Sequence, residues 1–254
     1  MVYGRGQQPG MRIGPPITPP IIKQIMIANA VVFLVQQFAS ETTAYGSIVP
    51  MAFWQFGYLW QPFSYMWLHA SFGHIAMNMF MLWMFGSQLA LAWGPKRFLR
   101  FYLICGVGAG LIIASYPYLM YSVHPAGLTE YTLGASGAVY GVLLGYSLTW
   151  PDRTIMLIFP PVAFRAIWLI PGLFLMSMMF QSGQNISHIG HLGGVIVGWI
   201  YLRRQGHANA IFSLSQLKSR WKRHQMRKKL RAVRYDEFEA RRRDNEKDND
   251  RRFH

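Results

Sequence analysis

Five polar side chains stand inside otherwise apolar sequence: His74, Asn78, Ser136, His188 and His191. Ionisable and amide groups are expensive in such surroundings, so each is a candidate for chemistry until a structural partner accounts for it. A serine hydroxyl is a weak nucleophile at neutral pH and needs a positioned base to take its proton as it attacks a carbonyl. Either His188 or His191, one helical turn apart, could be that base. The attacked carbonyl oxygen becomes negative and needs preorganised donors. Asn78 offers an amide, and His74, four residues earlier, offers a ring N–H. A helix beginning at Ser136 offers free backbone N–H groups at its positive end. No carboxylate interrupts the apolar segments, so the arrangement is expected to be a serine–histidine dyad. Histidines inside membranes also bind metals, and His69, His74, His188 and His191 make a metal site the rival reading. The sequence holds no HExxH pattern and no carboxylate beside these histidines, so neither a metal nor an organic cofactor is expected.

The elements that must position these groups are hydrophobic. Apolar residues make up 52% of the 254 residues and charged residues 14%, well below the quarter usual in soluble globules. Six apolar segments can be marked, at about 21–39, 74–93, 99–118, 136–150, 166–182 and 189–202. The fourth begins at Ser136 and stops before Pro151. It is shorter than the roughly 17 residues a spanning helix needs, so its end must lie below one membrane surface, within reach of water. Basic residues gather in cytoplasmic loops. Here they fall before or at the start of segment one, between two and three, between four and five, and after six, whereas residues 40–73, 119–135 and 183–188 hold no Lys or Arg. The expected fold is therefore an all-α membrane protein of six transmembrane helices with both termini cytoplasmic. His74, Asn78, Ser136, His188 and His191 then lie near the outer ends of helices two, four and six.

Gly106, Gly108 and Gly110 on segment three, Gly137, Gly141 and Gly145 on segment four, and Gly194 and Gly198 on segment six remove side-chain bulk where backbones could meet. The long outer connection carries Trp54, Phe56, Tyr58, Trp60, Phe63, Tyr65 and Trp67, a density suited to the headgroup region. Cys105, the single cysteine, reads as an apolar packing residue.

Gly134-Ala135-Ser136-Gly137 opening a glycine-striped helix, His74-Ile75-Ala76-Met77-Asn78 two helices earlier and His191-Leu192-Gly193-Gly194 two helices later resemble the signature elements of the rhomboid proteases, bacterial six-helix type. The resemblance covers about residues 20–203, including Trp60-Gln61 and the Leu68-His69-Ala70-Ser71-Phe72 lead into segment two. It implies Ser136 as nucleophile and His191 as general base and acid, chosen over His188 because an apolar residue and two glycines follow it. It further implies an oxyanion hole of His74, Asn78 and the Ser136 backbone N–H, and Tyr140 packed beside the catalytic histidine. Gly134, Gly137 and Gly194 are supporting residues, with Gly194 admitting helix six close to helix four. Some relatives carry a Trp-Arg pair where this chain has Trp60-Gln61, so no role of that arginine carries over. Inactive relatives lose the serine or place a proline beside it, whereas here Ala135 precedes Ser136.

The implied activity is endoproteolysis of single-span membrane proteins near the outer leaflet, in a multi-pass protein expected in the bacterial cytoplasmic (inner) membrane. Substrates are expected to enter past helices two and five, along Leu175, Met176, Met179 and Phe180. The competing class is a rhomboid-like binder that holds membrane clients without cutting them. Residues 1–20 read as a cytosolic lead, 21–203 as the six-helix protease domain and 204–254 as a cytosolic tail. From Arg203 onward lie seventeen basic and seven acidic residues. This tail could meet anionic lipid heads or remain solvated, and its interleaved acids argue against nucleic-acid binding.

Overall fold

The computed structural model describes residues 14–15, 17–120, 122, 125–156, 162–180, 188–205 and 226, with side chains in the 162–180 stretch up to Leu175. The chain divides after Gln205, and everything below concerns the part before that point. Most of the N-terminal lead, the tail and the side chains of Met176, Met179 and Phe180 lie outside the described residues.

Helix α1 (Pro20–Phe38) starts on a proline, whose missing N–H costs nothing in a first turn. Three short helices follow in the outer connection: α2 (Ser40–Gly46), α3 (Pro50–Gln55) and α4 (Gln61–Ser64), the last running into a tight turn at Tyr65–Trp67. Helix α5 (Phe72–Met81) is capped by Ser71, whose Oγ accepts the His74 N–H at 3.2 Å. It passes through a wider π-helical turn, Leu82–Gly86, into α6 (Ser87–Trp93). Gly94, at φ 83°, ends it, and Pro95 opens α7 (Pro95–Leu119). Helix α8 is Ser136–Thr149, α9 Leu169–Phe180 and α10 His188–Arg204. Between α8 and α9 the chain forms a hairpin of three-residue strands, β1 (Thr154–Met156) antiparallel to β2 (Ala163–Arg165). A purely helical reading of the sequence did not include it.

Among the described residues three helical stretches are long and apolar enough to cross a membrane: Pro20–Phe38, Phe72–Trp93 and Pro95–Leu119. Helix α8 has 14 residues, about 21 Å of rise. It is the core of the bundle, because every residue from Gly137 to Leu148 except Tyr140 is buried. A helix apolar on all sides must be covered on all sides, and α7 and α10 supply the most extensive cover.

The register of this trio follows from its small residues. A Cβ built on Gly137 would lie 2.7 Å from the Ala109 Cβ, one on Gly141 would reach the Cys105 Sγ, and one on Gly145 would lie 3.1 Å from the Phe101 ring. Helices α7 and α8 are therefore antiparallel. Gly137 faces Gly190 and Gly194, and Gly141 faces Gly194 and Gly198, so α8 and α10 are parallel and their N-terminal ends share one level. At the opposite end, arginines lie over tryptophan rings: Arg97 at 4.6 Å from Trp93, Arg153 at 5.6 Å from Trp150 and Arg203 at 5.0 Å from Trp199.

The closest approach is at Gly194, where a Cβ would overlap the Gly137 carbonyl. Backbone cannot yield as a flexible side chain can, so Gly194→Ala is expected to cost at least the ~1–3 kcal/mol of core overpacking. Thermal unfolding in detergent micelles checks this, with Gly73→Ala, where nothing lies within 4 Å, expected to leave the midpoint unchanged or slightly raised.

Candidate active site

Ser136 opens α8 and is partly exposed. Its neighbour Gly137 lies against the Gly190 carbonyl, at 3.3 Å from a Cβ built there, and against Gly194. Gly190 and Gly194 flank His191 on α10, so the segments bearing the hydroxyl and the imidazole are joined backbone to backbone. Tyr140, one turn into α8, stacks on His191 with centroids 4.2 Å apart and planes at 9°. Ser136 and Tyr140 share a helix face at a spacing of four, which directs Ser136 toward the same side. The Ser136 hydroxyl makes no hydrogen bond among the described residues. His191 is 6% exposed, and its Nδ1 is buried without a hydrogen-bond partner among them.

His74 reaches this level from α5. Its Cε1 and Nε2 would lie 2.7 and 2.9 Å from a Cβ on Gly134, so the ring rests on the turn that leads into Ser136. Gly134 is needed there twice: its φ of 132° disfavours any L side chain, and the space a Cβ would take is filled by His74. The Ala70 N–H points at His74 Nδ1 in a long contact of 3.5 Å, which leaves Nε2 to carry the ring proton toward the turn. Asn78, buried one turn further along α5, donates one amide hydrogen to the His74 carbonyl at 3.0 Å. The second remains for another acceptor. His188 lies farther out, its ring 6.4 Å from His191 and 6.1 Å from Phe174 of α9. The four-histidine metal reading gains nothing from the geometry: among the described residues no three His, Cys, Asp or Glu side chains are grouped to hold an ion.

The outer connection contributes residues that sequence reading passed over. Tyr65, expected among the headgroup aromatics, is 1% exposed. Its hydroxyl donates to the Gly106 carbonyl at 2.8 Å, and its own carbonyl accepts the Gly134 N–H at 2.9 Å. One residue thus ties α7 to the turn before Ser136. Trp54, Phe56, Trp60 and Phe63 are exposed, as expected. Gln61, standing where some relatives carry arginine, is fully buried, and its Oε1 accepts the Val49 N–H at 3.1 Å. Gln36 of α1 accepts the His69 N–H at 2.9 Å, anchoring the lead into α5. Tyr and Gln in an aromatic-rich loop gave no sign of these roles, because the partners are backbone groups far along the chain.

A family profile described as Rhomboid domain matches residues 57–205. The chain is 32% identical over 139 residues to Rhomboid protein 1, mitochondrial, of Saccharomyces cerevisiae, covering 52% of this chain and 38% of that protein. It is 27% identical over 201 residues to RHOMBOID-like protein 12, mitochondrial, of Arabidopsis thaliana, covering 72% and 59%. It is 31% identical over 137 residues to the Presenilin-associated rhomboid-like protein, mitochondrial, of Mus musculus, covering 53% and 35%. The chain thus spans less than two thirds of each relative's length. All three carry mitochondrial names, so the expected bacterial cytoplasmic membrane finds no support in them. A multi-pass location in a membrane does.

Two measurements test the scaffold. Tyr65→Phe removes one buried hydrogen bond while the Gly106 carbonyl keeps its place in the α7 ladder, so the cost is expected to be about 1 kcal/mol. Burial, with His74 beside it, pushes the His69 imidazole down to about 3. The unfolded value is near 6.5, so the unfolded chain binds the extra proton first. Stability from this group is intact above about pH 6.5 and is lost progressively as the pH falls from there toward 3. Unfolding midpoints measured between pH 7 and 5 should therefore fall on the acid side, and fall less steeply in His69→Leu.

Proposed function

The chain belongs to the rhomboid family, and from that premise we propose that it is an intramembrane serine endopeptidase working through Ser136 and His191. The observation that carries this reading is the glycine contact between α8 and α10, which brings the starts of both helices to one level with Tyr140 stacked on His191.

In this scheme His191 takes the Ser136 proton as the hydroxyl attacks the scissile carbonyl, then returns it to the leaving amine. Negative charge on the carbonyl oxygen is met by His74 Nε2–H, the free amide hydrogen of Asn78 and the Ser136 N–H at the start of α8. These groups are fixed before the reaction: His74 by the Ala70 contact, Asn78 by the His74 carbonyl and the Ser136 turn by Tyr65. Water then hydrolyses the acyl intermediate, reaching it past the partly exposed Ser136. No metal or organic cofactor has a role in it.

The site lies at the end of the bundle opposite Arg97, Arg153 and Arg203. Basic residues mark the cytoplasmic side, which supports a site near the outer face, six spans and cytoplasmic termini. Substrates would be single-span proteins whose helix unwinds locally, since a peptide bond in an intact helix is shielded by its own hydrogen bonding. Leu175 is exposed on α9, in keeping with entry between α9 and α5. The tail after Arg203 would sit on the cytoplasmic side, where anionic lipid heads are its natural contact.

Co-expression with a panel of single-span reporters tests the reading. The unmodified protein should cleave at least one, Ser136→Ala and His191→Ala should cleave none, and Asn78→Ala should slow cleavage by about 10²-fold, as for one lost oxyanion donor. A fluorophosphonate probe should label the unmodified protein and spare Ser136→Ala. Capture of reporters without cleavage or labelling would establish the client-binding alternative.

A further inference from the structure

The proposed reaction gives His188 no task, yet it stands one turn before His191 at the start of α10. Both rings have a buried Nδ1 with no hydrogen-bond partner among the described residues. Two such orphans of the same kind, on one helix and one turn apart, call for a common explanation, because an unpaired buried polar group costs about 1–3 kcal/mol.

The need lies on the His191 side. An imidazole accepts a proton at Nε2 only while the ring proton sits on Nδ1, and a third group normally holds that tautomer and orientation. Stacking on Tyr140 sets the plane of the ring but neither its tautomer nor its rotation within that plane. No Asp or Glu lies within α7, α8, α9 or α10 to do so. The ring separation fits a link through one water. A direct N–H···N bond would bring two imidazole centroids to roughly 5 Å, whereas one bridging water would place them at roughly 6–8 Å. The His188 and His191 centroids are 6.4 Å apart, with planes at 83°.

We propose that His188 is a positioning residue for His191, linked to it by one water that accepts the His191 Nδ1–H and donates to His188 Nδ1. The dyad then has a neutral third member where soluble serine proteases use a carboxylate. A neutral partner suits this place, since a buried carboxylate there would carry an uncompensated charge into a low-dielectric site. Phe174 packs edge-on at 6.1 Å from the His188 ring. This role rests on the proteolytic reading and deepens it.

The experiment uses the full-length protein in proteoliposomes with a cleavable single-span reporter. His188→Phe keeps a ring and removes both nitrogens, while His188→Gln keeps polar atoms able to bond the water. His188→Phe is expected to lower kcat by about 10- to 100-fold, less than loss of a general base, which gives about 10²–10⁴-fold. KM should change less than about twofold, the unfolding midpoint should be unaltered, and His188→Gln should recover most of the rate. Cleavage by His188→Phe at the unmodified rate overturns the proposal, as does an equal loss in both variants or an effect confined to KM. Absence of fluorophosphonate labelling at Ser136 in the unmodified protein would instead remove the proteolytic reading itself, and this role with it.

Discussion

The contact of bare backbone between Gly137 of α8 and Gly194 of α10 is the constraint on which the rest of the bundle depends. Side chains normally hold helix axes 8–10 Å apart. Here even one methyl group would meet a carbonyl oxygen. That closeness sets the register of two parallel helices and puts Ser136 and His191 at the same depth. It also wraps α8, a helix of 14 residues, so fully that almost none of its length faces outward. Within hydrocarbon there is little hydrophobic gain in bringing helices together, so close packing of small residues is what drives such an association.

A second layer of organisation comes from the outer connection. Its three short helices look like an irregular insertion, but Tyr65, Gln61 and Gln36 turn it into a brace. The turn at Gly134 must adopt a conformation unsuited to other residues while leaving room for His74. Glycine adopts it without steric cost but leaves the backbone free to take other conformations, so the turn has to be held from outside. The Tyr65 carbonyl on the Gly134 N–H and the paired bonds between Ile48 and Thr132, at 2.9 and 2.8 Å, meet that requirement.

Polarity and burial are balanced locally. Asn78 satisfies part of its amide on the helix that carries it, and His74 is held by Ala70, so both can be kept inside apolar surroundings without a charge. A neutral set of groups is the economical way to keep donors aimed at one point, because a charged group in the same place would need a partner and its desolvation would oppose burial.

Much of the architecture was legible in the residues alone. The 3.6-residue packing of small and apolar side chains and Pro151 as a stop follow from local sterics, so the apolar helical segments and the shortness of α8 could be read directly. So could the five polar groups standing in apolar sequence, since such surroundings make any polar residue conspicuous. The tertiary structure decided what depends on distant backbone. It buried Tyr65 rather than leaving it among the exposed aromatics, gave Gln61 a structural bond in place of an arginine's role, and folded a small hairpin between α8 and α9. None of these has a periodic signature, because a hydrogen bond to a carbonyl forty residues away leaves no mark on the local pattern of side chains.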